Sequence, residues 1–144
     1  MLEVAILLFM EADMSKETIK KATFKDLVAK KLQRDEDKFK TKDIYVQSLD
    51  ATLTFKKPSD DLIMETIDAI GEDKANTKYI VQAFKKLIYQ CCDMLQDTEL
   101  HKELEVQDPF DTVSKIFDVM EIMDLGDKLS DFVDINGKID DIKN

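Results

Sequence analysis

The 144 residues amount to one ordinary domain's worth of chain, and 44% apolar with 36% charged residues excludes both a disordered polyelectrolyte and a membrane protein. With 31 acidic against 21 basic side chains the net charge is -10, which repels nucleic-acid phosphates and anionic lipid headgroups alike. The charge is uneven: Lys16 to Lys42 holds ten basic and five acidic residues, net +5, and Asp93 to Asn144 holds fifteen acidic and five basic, net -10.

The run Leu2 to Met10, LEVAILLFM, carries Glu3 and lacks Lys, Arg and a small-residue cleavage site. It also falls far short of the roughly 20 residues that span a bilayer, so it reads as neither signal peptide nor anchor. Residues Met10 to Met14, MEADM, can be encoded with a GGAGG purine run just before the second ATG. Residues 1–13 are therefore expected to be a translated leader or a flexible N-terminal extension.

Thr23 can cap a first helix, with Asp26 three residues on and apolar residues at Phe24, Leu27, Val28, Leu32 and Phe39. Its far half, QRDEDKFKTK, is too charged for burial and is expected to end near Lys40. The basic stripe here fits a phosphate or protein contact, or simply a solvated face. From Asp43 to Lys57 the period changes to two, with Ile44 and Val46 on one side and Leu53 and Phe55 answering them, which predicts a β-hairpin. Asp50 sits in its turn, and Ala51 is a poor residue for positive φ, so the loop should be longer than the tight Asp-Gly type.

Pro58 ends the hairpin, and Ser59, Asp60 and Asp61 supply a cap and negative charge for a second helix with a face of Leu62, Ile63, Ile67 and Ile70, closed by Gly71. After a polar loop over 72–76, Thr77 starts the strongest helical pattern, Ile80, Val81, Phe84, Leu87, Ile88, Cys91, Cys92 and Leu95, the predicted central core helix. Asp97 or Thr98 caps the short turn ELHKEL, and Asp108-Pro109 opens another helix whose inward face is read as Phe110, Val113, Ile116, Phe117, Met120 and Met123. Gly126 is expected to interrupt it, leaving Leu125, Leu129, Phe132 and Val133 to a last short helix, and 136–144 is expected to be a loose tail. The fold class is thus mainly α with one small hairpin near 43–57: a compact single domain of about five helices over 14–135.

Chemical signatures are sparse. Histidine occurs once, at His101 in the charged stretch ELHKE, so a nucleophilic triad lacks its base. Cys91 and Cys92 are adjacent, a spacing that strains a bridge and matches no CxxC redox or zinc pattern, and they read as reduced core thiols of a cytoplasmic protein. Three glycines leave no phosphate-cradling loop. Asp134, Asn136 and Gly137 mimic the middle of a calcium loop, but aligning Gly137 to the sixth position puts Phe132 first and Lys143 twelfth, where carboxylates are required. No catalytic, metal or cofactor residue is expected, nor an enzyme activity.

The stretch Lys25 to Gly71, with KTKDIYVQSLD and LTFKKPSDD its most telling runs, and the stretch KKLIYQCCDMLQDTELHKELEVQDPFD, Lys85 to Asp111, resemble the XkdN-like phage tail assembly chaperones. Members of that family would begin near Met14. The resemblance implies a protein of contractile-tailed phages, prophages or phage-tail-like bacteriocins, acting in the bacterial host cytoplasm and absent from the finished tail. Its implied partner is the tape measure protein, kept soluble until tube subunits polymerise around it, with the tail tube protein a second candidate. The alternative is a structural tail completion or baseplate-adjacent protein retained in the particle. Adaptable thioethers suit a partner with many similar sites, which makes Val119, Met120, Ile122 and Met123 the candidate contact surface against the plain reading that they finish the core.

Overall fold

The computed structural model describes residues 19–71 and 76–133. The leader or extension over 1–13, part of the loop over 72–76, the calcium-like run and the tail over 136–144 lie outside the described residues. The chain divides into two compact units, Met1–Asp35 and Glu36–Asn144. Among the described residues there are six helices and one two-stranded antiparallel hairpin, so the chain is mainly α as expected, the short ELHKEL turn counting as a helix of its own.

Helix α1 spans Phe24–Asp37. Its N-terminus is a reciprocal box: the Asp26 amide donates to Thr23 Oγ1 at 3.3 Å and the Thr23 amide donates to Asp26 Oδ2 at 2.8 Å. The Thr23 amide, ahead of Lys20, holds the exposed Asp26 carboxyl below its usual value. No residue of α1 is buried.

In the second unit, β1 (Thr41–Val46) pairs with β2 (Ala51–Lys56) in a register that sets Ile44 opposite Leu53 and Val46 opposite Ala51. Period-two alternation then places Ile44, Val46, Leu53 and Phe55 on one buried face. The connection is a single 3-10 turn, Gln47–Leu49, closed by Asp50 at φ 47°. Asp50, whose side chain tolerates the left-handed region, takes the positive φ that Ala51 would resist. Its carboxylate accepts the Tyr45 hydroxyl at 2.6 Å, which raises the Tyr45 pKa.

Helix α2 (Asp60–Ile70) is capped by Ser59, whose Oγ accepts from the Leu62 amide, and ends at Gly71, whose φ of 65° suits glycine. Its buried side includes Thr66, which escapes the hydrophobic pattern because its hydroxyl donates to the Leu62 carbonyl at 2.7 Å. Helix α3 (Thr77–Cys91) is capped by Asn76 and is the centre of the unit, packing against α2, β2 and the helices over 111–116 and 119–133. Ala83, Phe84, Leu87, Ile88 and Cys91 are its buried stripe. A 3-10 turn, Asp93–Gln96, leads to α4 (Thr98–Glu103), capped by Asp97.

The last third departs from the sequence expectation. Helix α5 (Asp111–Ile116) stops at Phe117, which is extended, and α6 (Val119–Val133) then runs unbroken through Gly126. Asp118 explains the restart: its Oδ1 accepts from the Glu121 amide at 2.9 Å, and Glu121 Oε1 accepts from the Asp118 amide at 3.3 Å. Gly126 is no breaker because it is buried where α6 meets Phe84 of α3. The break before Val119 also takes Met120 off the inward face to which the uninterrupted pattern assigned it.

Candidate partner-binding site

The four residues singled out for partner contact separate in space. Val119 and Met120 are exposed, Met120 to 75%, whereas Ile122 is 2% exposed and belongs to the core, so it has no surface to offer a partner. Met123 is partly buried and packs on that core. The helical period explains the split: residues one and two positions apart point in different directions, so one cluster in the text becomes two faces.

Met120 joins a groove of about 550 Å³ between the hairpin turn and the start of α6, which also includes Tyr45, Ser48, Glu121, Asp124 and Lys128. The Ser48 hydroxyl donates to the Glu121 carboxylate across its mouth. Glu121 therefore uses one oxygen to cap α6 and the other to hold the hairpin turn.

A second groove of about 400 Å³ was not legible in the sequence, because its floor gathers Leu53 from β2, Leu95, Leu100 from α4, and Ile116 and Phe117. Asp97, Glu99 and Glu103 stand along its rim, and the exposed Met94 lies at its edge. An apolar floor under an acidic rim suits a partner that is apolar along one line and basic beside it.

Among the described residues, α1 carries a row of exposed apolar side chains. Phe24 is 82% exposed, Leu27 65% and Leu32 56%, with Val28 between them, a spacing of three and four residues that puts all four on one helical face. Eight of its fourteen residues, FKDLVAKKLQRDED, are charged, and that density was the available sign that this face lacks a core of its own. Lys31 pairs with Asp35 at 2.7 Å along the helix.

The residues that could have carried chemistry are occupied structurally. His101 Nε2 lies 2.8 Å from the Leu95 carbonyl oxygen, to which it donates, and the ring stacks on Tyr89 at 5.9 Å. Cys91 and Cys92 are free and buried; burial pushes the Cys91 thiol up to about 12, against the pull of Lys56, and raises that of Cys92. Thiols in that state are weak nucleophiles. Among the described residues no three His, Cys, Asp or Glu side chains are grouped to hold a metal, and no helix is long and apolar enough to cross a membrane.

Comparison with protein-family models, with curated proteins and with solved structures finds no match for this chain.

Proposed function

We propose that this protein is a tail assembly chaperone of the XkdN-like kind, which binds the tape measure protein of a contractile phage tail or tail-like bacteriocin in the host cytoplasm and leaves before the tail is complete. The observation that carries this reading is the uncovered stripe Phe24, Leu27, Val28 and Leu32 on α1. A stripe of that kind lays itself against an apolar line on another helix, the common geometry of helix recognition. A long helical tape measure would present many such lines, each prone to aggregate until covered. The net charge of -10 would keep the covered assembly soluble. The likeness of Lys25 to Gly71 and Lys85 to Asp111 to the family's phrases supports the same reading, with binding rather than catalysis as the work done.

Co-expression with the tape measure protein tests it. The client is expected to stay soluble and co-purify with the chain, and Phe24→Asp with Leu27→Asp to abolish both effects while leaving the melting transition in place. A client equally soluble without the chain would refute the proposal. Mass spectrometry of purified tails separates it from a structural tail part, which would remain in the particle.

A further inference from the structure

Helix α1 is held together by little more than its own backbone. No residue in it is buried; only Asp26, Asp35 and Asp37 are partly covered, and Phe24, Leu27, Val28, Ala29 and Leu32 are all exposed. Those apolar side chains belong to the unit Met1–Asp35 and not to the one that holds the core. We infer that α1 opens and closes by itself in the free protein, as a helix–coil equilibrium uncoupled from the core, and becomes a persistent helix only when a partner covers its stripe.

Local interactions leave that equilibrium close to balance. A helix of 14 residues sits at the length where isolated helices are marginal in water, because nucleating the first turn is costly and most helices persist by packing one face. The reciprocal box of Thr23 and Asp26 favours the start of α1. Its far end is disfavoured: Asp35, Glu36 and Asp37 put three carboxylates where the last carbonyls already gather negative charge. Lys31 pairs with Asp35 at 2.7 Å and Lys40 with Asp37 at 2.9 Å. Lys31 precedes its acid, which is the weaker order on a helix, and pairs at the surface contribute little. The ordering cost of α1 therefore falls at the moment of contact, so its own helicity sets how tightly the chain grips. The partner's part in this rests on the function proposed above, but the opening of α1 in the chain alone does not.

Hydrogen exchange on the full-length protein alone tests the inference. Amides of α1 are expected to be protected no more than about threefold, and those of α3 roughly a thousandfold or more. Ala29→Gly lies off the stripe and shifts a helix equilibrium by about fivefold. It should leave the core's melting transition in place. In titrations with the tape measure protein it should weaken binding by about two- to fivefold, because the bound helix must be ordered from a more open state. A helix already persistent would lose equally when free and when bound, and its affinity would stay the same. Amides of α1 as protected as those of α3, a core that melts lower in Ala29→Gly, or an affinity indifferent to that substitution would each overturn the inference. If the tape measure protein does not bind at all, exchange and melting on the chain alone still decide the matter, so the two readings fail separately.

Discussion

Gly126 of α6 faces the ring of Phe84 of α3 so closely that a β-carbon added to it would lie 2.1 Å from the ring's Cδ2 and 2.2 Å from Cγ. The glycine is therefore a packing residue, and it lets the two longest helices of the second unit meet. Alanine favours a helix interior over glycine by about 1 kcal/mol, yet here it must displace a buried ring. Gly126→Ala is expected to destabilise by about 1–3 kcal/mol in urea unfolding. Adding Phe84→Leu should make the double variant lose less than the sum of the two single losses.

The split of the Met-rich segment gives a direct contrast. Met120→Glu should change stability by no more than about 0.5 kcal/mol, as surface substitutions do. Ile122→Ala should cost about 2–5 kcal/mol, since it empties a site that is 2% exposed. Thermal melts of the two variants side by side check this.

Thr112 Oγ1 and Ser130 Oγ are buried with no hydrogen-bond partner among the described residues. Each hydroxyl therefore forfeits its hydration uncompensated, which costs about 1–3 kcal/mol where no relaxation occurs. Thr112→Val and Ser130→Ala are expected to leave stability unchanged or to raise it, measured by urea midpoint at constant slope.

The raised thiols imply an alkaline limit. Cys91 titrates near 12 in the folded chain against an ordinary 9.0, so the folded state holds its proton where the unfolded state has lost it. The stabilisation is complete below pH 9 and is lost as pH rises towards 12. Cys91→Ala should flatten part of that decline, Cys92 retaining the rest. In neutral buffer a thiol reagent should label neither cysteine before the chain unfolds.

Most of the fold was legible in the sequence because its signals are local. Ser59 announces α2, Asp97 announces α4, and the alternation around Ile44 and Phe55 announces the hairpin, since caps and period-two patterns act over a few residues. The structure departs from the sequence pattern where distant residues decide. Gly126 reads as a helix breaker because nothing in its neighbourhood reveals Phe84, some forty positions earlier, and a continuous apolar rhythm hides the break at Phe117. The acidic-rimmed groove was equally invisible, its floor drawn from residues between Leu53 and Phe117. The apolar spacing of α1 is legible from Phe24 to Leu32, whereas Phe39 falls in the turn after the helix ends at Asp37, and a period cannot say whether a face meets the same chain or another.

Because the apolar side chains of α1 fall in a different compact unit from the residues that build the core around α3, recognition and folding would, under the function proposed above, answer to separate sets of positions. Variation at Phe24, Leu27, Val28 or Leu32 would then retune which surface is gripped without a toll on the scaffold.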